Sequence, residues 1–202
     1  MRTSIEESLQ RLDTDHLDIA YIHDPEDFMD QALATAIPAL IELREEGVVN
    51  SIGVGMNSVE PLRRFVRETD IDVLMVAGRW TLLDRTAREL LDEAAAGGVS
   101  IAVAGAFNSG LLATNSPADD ATFDYLPASQ ALVARARSMA AAATAAGASL
   151  PAAALQFGLR RPEVAAVVVG LRSPGEVRAA RANWDCPIPE QLWLQLDKIA
   201  AG

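Results

Sequence analysis

The chain has 202 residues, half of them hydrophobic, with a formal net charge of −11. That length and apolar content suit a globular protein with a sizeable core rather than a disordered one. The negative balance argues against nucleic acid or an anionic membrane surface as a partner. One cysteine, Cys186, leaves no internal disulfide framework, and one Cys with two His gives no metal-ligand spacing. No apolar run reaches the ~18 residues that span a bilayer, and the first residues lack the apolar stretch of a signal peptide. A cytoplasmic protein is the expectation. Sixteen of the seventeen basic residues are arginine; the one lysine is Lys198.

In chain order, a short helix over 3–12 precedes an apolar run at 17–22, a helix near 31–46, a run at 51–54 and a helix at 58–68. Then come a run at 71–76, a helix at 84–97, a run at 99–104 and a long polar loop at 108–127. An alanine-rich helix at 128–147, a run at 164–169 and helices at 174–182 and 189–201 complete the series. The runs are rich in Val, Ile, Leu and Ala with little polar alternation, the pattern of strands buried on both faces of a parallel sheet. Punctuation agrees. Ser58 is placed to cap a helix, Gly47 and Gly97-Gly98 suit helix C-termini, and Ser173-Pro174-Gly175-Glu176 reads as a capping box with proline at the first helical position. Five βα units in succession make a doubly wound sheet or a (β/α)8 barrel. No Gly-x-Gly-x-x-Gly follows the first strand, which weighs against the dinucleotide-binding doubly wound form.

Polar groups close each run: His23-Asp24, then Gly55-Met56-Asn57-Ser58, Gly78-Arg79-Trp80-Thr81, Asn108-Ser109-Gly110, and Gly170-Leu171-Arg172-Ser173. An amide, small-residue turns and a helix N-terminus together suit a ligand carrying a carboxamide and phosphates. Taken alone, His23 reads as a hydrogen-bonded strand-end histidine and Asn57 as a turn residue. Trp80 reads as rim packing, Tyr21 as a packed core aromatic, and Ser173 as a cap. The carboxylate pairs Glu45-Glu46 and Asp119-Asp120 read as solvated surface.

These pieces, with Ser8-Leu9-Gln10-Arg11-Leu12, Ile22-His23-Asp24-Pro25-Glu26, Asn108-Ser109-Gly110-Leu111-Leu112, Ala154-Leu155-Gln156-Phe157 and Pro187-Ile188-Pro189, occur in one order over almost the whole chain. The ordered set resembles the C-terminal part of an aldo-keto reductase, in the branch that contains L-fucose dehydrogenase and D-threo-aldose 1-dehydrogenase. The resemblance implies a partial (β/α)8 barrel: about the last five βα units plus a C-terminal helix, in a single domain over 1–202. It implies hydride transfer between NAD or NADP and an aldose or other carbonyl. Its site joins a proton-donating tyrosine, a lysine that lowers the tyrosine's pKa, an aspartate paired with the lysine, and a histidine that orients the substrate oxygen.

His23 matches the histidine; the Asp, Tyr and Lys belong to units expected upstream. The resemblance assigns cofactor binding to Asn57, Trp80, Asn108, Ser109, Gly110, Arg172 and Ser173, with no metal. Glu176 stands where NADP-preferring relatives carry a basic residue, which tilts the expectation toward NAD. On this reading the 202 residues alone turn over little, whether they are a fragment, a truncated gene or a shortened product. The alternative is a non-catalytic binding or regulatory protein built on a remodelled half-barrel. Five strands leave two sheet edges open, so a homo-oligomer or swapped dimer through those edges is expected.

Overall fold

The computed structural model describes residues 1–201. The chain divides into two compact units. The first comprises residues 1–77 and 87–102; the second comprises 78–86 and 103–202.

In the first unit, helix α1 (Arg2–Leu12) precedes strand β1 (Leu17–His23). A short helical turn, α2 (Met29–Gln31), runs through a π-helical segment (Ala32–Ala36) into α3 (Ile37–Glu45). The π segment falls where Pro38 enters the helix. Proline has no N–H to give and its ring crowds the carbonyl four residues back, and the wider turn relieves both conflicts. Strand β2 (Val49–Met56), helix α4 (Val59–Glu68), strand β3 (Val73–Ala77), helix α5 (Arg88–Ala96) and strand β4 (Ser100–Ala104) follow.

Strand β1 pairs in parallel with β2, His23 opposite Gly55, and β2 in parallel with β3, Gly53 opposite Val73. Parallel neighbours need a crossover, which α3 and α4 supply, as the βα alternation in the sequence anticipates. A cluster of Ile5, Ala20, Leu40, Leu43, Val49 and Ile52 fills the space under α1 and α3. The arginines of α4 tie it to α5: Arg63 and Arg67 both donate to Glu93, at 2.5 and 2.7 Å.

Strand β4 passes into the second unit after Ala102, and there its neighbour is β7 (Val164–Val168). The sheet order is β1-β2-β3-β4-β7. Between them lie a small antiparallel hairpin, β5 (Thr122–Phe123) and β6 (Leu126–Pro127), and helices α6 (Gln130–Ala145) and α7 (Leu150–Phe157). Helices α8 (Pro174–Asp185) and α9 (Glu190–Ala201) complete the unit. This is the α/β order of part of a (β/α)8 barrel.

Several expectations are corrected. Residues 84–87 stay out of α5 because the Thr81 and Asp84 side chains bond to local backbone N–H groups and fold the segment into a turn. The polar loop at 108–127 contains the β5–β6 hairpin. Helix α7, absent from the predicted series, starts on a Ser149 cap with Pro151 in its first turn. Ser58 sits at the N-terminus of α4 but caps nothing; its hydroxyl donates instead to Glu26, at 2.9 Å.

Candidate active site

In the first unit, the end of β1 turns sharply. Asp24 adopts left-handed backbone geometry, φ 46°, and its N–H donates to the Gly55 carbonyl at 2.9 Å, clamping the chain to the end of β2. This lifts the His23 imidazole out of the strand, so that its side chain is 85% exposed. The Asp24 carboxylate lies 3.6 Å from His23 Nδ1. That distance is longer than a hydrogen bond.

Asn57, just beyond β2, is exposed. Ser58 bridges the two strand ends, donating to Glu26 Oε1 and lying 3.5 Å from Asn57 Oδ1. An exposed imidazole and an exposed asparagine thus lie at the C-terminal ends of neighbouring parallel strands. Barrel enzymes place their chemistry at such ends.

Tyr21 lies two residues before His23, half-buried, with its ring edge over Gly53 and Gly55 of the next strand. Burial pushes its phenol pKa above the ordinary tyrosine value, the wrong direction for an acid–base group near neutral pH.

In the second unit, Gly78 leaves β3 with φ 71° and its N–H bonds to the Ala104 carbonyl. Arg79 then sits between two carboxylates, donating to Asp124 at 2.5 Å and Asp84 at 3.3 Å. Burial opposes its charge, but the two carboxylates outweigh that cost and hold its pKa above the ordinary arginine value. Trp80 is 5% exposed, its ring tilted on Phe157 at 5.4 Å with the Arg161 guanidinium over it.

Asn108, Ser109 and Gly110 form three consecutive left-handed residues. Asn108 is 2% exposed. Its amide nitrogen reaches the Gly78 carbonyl at 3.4 Å, and its Oδ1 has no protein partner. The Ser109 hydroxyl accepts from the Tyr125 N–H, and its carbonyl accepts from the Thr122 hydroxyl, so this serine anchors the β5–β6 hairpin. Gly110 is exposed.

Arg172 and Ser173 are exposed before α8. Ser173 Oγ accepts from the Glu176 N–H at 3.2 Å. The Glu176 carboxylate accepts from the Arg172 N–H at 2.6 Å, one residue before the position a capping box reaches.

The structure therefore places His23 and Asn57 at the ends of neighbouring strands in the first unit. In the second it groups Asn108 and Ser109 with the Arg79 cluster, sets Trp80 in the core, and leaves Arg172 and Ser173 on the cap of α8. The Arg79–Asp84–Asp124 cluster and the Glu26–Ser58 bridge carried no signal in the sequence, because each joins residues far apart in the chain. No single helix among the described residues is long and apolar enough to cross a membrane.

Comparison with known proteins bears on the family and the fold. The Aldo/keto reductase family model matches residues 1–201. D-threo-aldose 1-dehydrogenase of a Pseudomonas species is 42% identical over 198 residues, covering 97% of this chain and 60% of its own length. Pyridoxal 4-dehydrogenase of Microbacterium luteolum is 33% identical over 204 residues, covering 96% of this chain and 59% of its own length. Among solved structures, the holo form of an aldo-keto reductase from Bacillus halodurans superposes with a TM-score of 0.80 at 25% identity, over 98% of this chain and 66% of that one. The chain thus spans about three fifths of the length of the curated relatives it matches. Over that span, a match from residue 1 to residue 201 and a shared fold make the chain a member of the aldo/keto reductase family.

Proposed function

We propose that the chain is the C-terminal part of an NAD(P)-dependent oxidoreductase acting on an aldose or another small carbonyl compound. The observation that carries this is the exposed His23 imidazole at the end of β1, with the exposed Asn57 just beyond the end of the neighbouring β2. His23 holds the substrate oxygen by hydrogen bonding. Asn57 offers both a donor and an acceptor, which is what the carboxamide of a nicotinamide requires. Bound NAD(P) supplies or accepts the hydride.

The second unit, taken by itself, also carries groups of the kind a dinucleotide needs. The exposed Arg172 and the N-terminus of the twelve-residue α8 suit phosphate. Gly110 and Gly170 present open backbone; a Cβ at either would meet nothing within 4 Å. Asn108 and Ser109 precede Gly110 in the same loop, Ser109 anchoring the β5–β6 hairpin, and Trp80 packs on Phe157. The Glu176 carboxylate, fixed 2.6 Å from the Arg172 N–H, disfavours an added 2′-phosphate, so NAD is the preferred cofactor.

These residues hold a cofactor and orient a carbonyl, but they do not move the proton. Tyr21 is half-buried on its glycine neighbours, Tyr125 projects into solvent, and Lys198 lies on α9. The 202 residues alone are therefore expected to bind and not to turn over. The same placement favours a second reading, a non-catalytic nucleotide-binding protein on the same strands. A further part of the proposal is self-association. β1 and β7 end the sheet order, and they carry Ile19 at 45% exposure and Val168 at 42%.

The test uses the purified 202-residue chain. NADH fluorescence titration should show saturable binding, and an aldose with NAD should produce no NADH above background. Steady turnover would overturn the assignment of the proton-moving step, and absence of NADH binding would overturn the cofactor reading. Light scattering in dilute solution should show an oligomer; a well-folded monomer would overturn self-association.

A further inference from the structure

The second unit contains a cleft of about 370 Å³, lined among the described residues by Gln156, Leu159, Arg160, Trp184 and Trp193. Gln156 belongs to α7, Trp184 stands near the end of α8, and Trp193 lies in the first turn of α9. Arg160 closes a short helical turn, Gly158–Arg160, that comes before β7, whereas Arg172 and Ser173 follow that strand. The cleft thus draws on none of the residues assigned to the cofactor.

Arg160 is the only charged residue in the lining. Its Nη1 donates to both oxygens of Asp197, at 3.2 and 3.1 Å, and its guanidinium carbon lies 4.8 Å from the centre of the Trp193 ring. Its Nε and Nη2 have no hydrogen-bond partner among the described residues. Asp197 is itself shared, with Arg85 Nη2 at 2.8 Å. Two guanidinium groups therefore divide one carboxylate, which leaves a positive charge over at the cleft. The aromatic wall is held in place as well. Gln156 Nε2 reaches the carbonyls of Asn183, Trp184 and Cys186 at 2.8, 3.1 and 2.8 Å, fixing the end of α8, and the Trp184 residue it anchors is 42% exposed.

We propose that this cleft is a binding site for a planar aromatic carboxylate, separate from the strand ends that hold His23 and Asn57. The Nε–Nη2 edge of Arg160 is a flat fork that matches the two oxygens of a carboxylate. Stacking on Trp193 keeps that fork oriented before the ligand arrives, so less freedom is lost on binding. The Trp184 indole takes the ligand's ring by offset stacking, and Gln156 is the residue that positions it. The volume is that of a small-molecule site.

Isothermal titration of the 202-residue chain with 2-naphthoate tests this. Saturable binding at one site is expected. 2-Naphthamide, which keeps the rings and loses the charge, and cyclohexanecarboxylate, which keeps the charge and loses the aromatic face, should each bind about tenfold more weakly. Arg160→Lys retains a charge without the fork and should weaken 2-naphthoate about tenfold. Trp184→Leu, a change at an exposed position, should weaken it about fivefold with an unchanged circular dichroism spectrum. In the native chain 2-naphthoate should shift the Trp184 indole N–H resonance, identified by its absence from Trp184→Leu. No saturable binding to the native chain, or equal binding in Trp184→Leu, overturns the site. 2-Naphthamide binding as tightly as 2-naphthoate rejects the carboxylate fork, and cyclohexanecarboxylate binding as tightly rejects the aromatic wall. Should Arg160→Lys fail to fold, Trp184→Leu and the two analogues decide the question.

Discussion

Gly53 is the residue whose replacement most directly tests how the strands position Asn57. It lies in β2 opposite Tyr21 on one side and Val73 on the other. A Cβ at this position would run into the Val73 carbonyl oxygen, with Val73 Cγ1 at 2.8 Å and Tyr21 Cε1 at 3.0 Å. The first obstacle is backbone, so no rotamer change relieves it; β2 and β3 must separate or the Tyr21 ring and Val73 must both shift. Overpacking costs about 1–3 kcal/mol, and a backbone obstacle puts Gly53→Ala near the upper end. The loss of glycine's unfolded-state freedom returns about 0.5–1 kcal/mol, leaving a net destabilisation of about 2 kcal/mol. For a chain of this length that lowers Tm by about 4–8 °C.

Gly55→Ala is the control. There a Cβ meets Met75 Cβ at 3.4 Å and the Tyr21 ring at 4.0 Å, ordinary contacts, and the net change should lie near zero. Thermal unfolding followed by circular dichroism ranks the two variants, and NADH titration of Gly53→Ala should show weakened binding as the end of β2 moves. A Gly53→Ala chain as stable as the native one, or less destabilised than Gly55→Ala, would refute the close approach of β2 and β3 on which the placing of Asn57 depends.

Three further outcomes are expected. Hydrogen bonds from Arg63 and then Arg67 hold the Glu93 carboxyl at about 2, below its ordinary value of 4.5. The stability this network gives the α4–α5 pair is therefore complete above about pH 4.5 and lost as pH falls toward about 2, and urea midpoints across that range should fall less steeply in Arg63→Ala. Ser173→Ala removes the cap of α8, a helix that buries none of its residues. The loss of about 1 kcal/mol should appear as faster amide hydrogen exchange in its first turns, with the α6 amides unchanged. Glu176→Gln keeps an acceptor for the Arg172 N–H while removing a charge, so NADPH affinity should rise a few-fold, about 1 kcal/mol or less, with NADH affinity nearly constant; equal affinities for NADPH in both chains would reject Glu176 as the discriminator.

What the sequence reveals and what it conceals follow from the range of the forces involved. The five apolar runs become the five strands of the sheet: β2, β3 and β4 are largely buried, as a continuous apolar stretch demands, whereas β1 and β7, expected to be buried on both faces, end the sheet order and are largely exposed or half-buried. His23 is legible because a polar residue closes the apolar stretch, and it is the last residue of β1, paired opposite Gly55. The Ser173 cap of α8 is equally local. Helix α7 was also there to be read, since Ser149 and Pro151 mark its start, but its alanine-rich surroundings blur it into the helix before it.

Ser58 shows the limit of local reading. A serine before a helix is expected to cap it, and the carboxylate that draws its hydroxyl away, Glu26, is 32 residues distant. The Arg79 cluster is hidden in the same way, because Asp124 is 45 residues from Arg79.

The β5–β6 hairpin is the most instructive case. Its turn is Asp124-Tyr125, without the glycine that would normally permit left-handed geometry, so nothing local announces a hairpin there. Only the distant groups Arg79 and Ser109 impose it. A conformation that local preference opposes and tertiary contacts enforce is where sequence reading fails for a physical reason. The strand ends that hold His23 and Asn57 are written in the local pattern, whereas the loop that presents Tyr125 is written in contacts between segments far apart in the chain. Reshaping that loop would thus leave the strand ends that hold His23 and Asn57 in place.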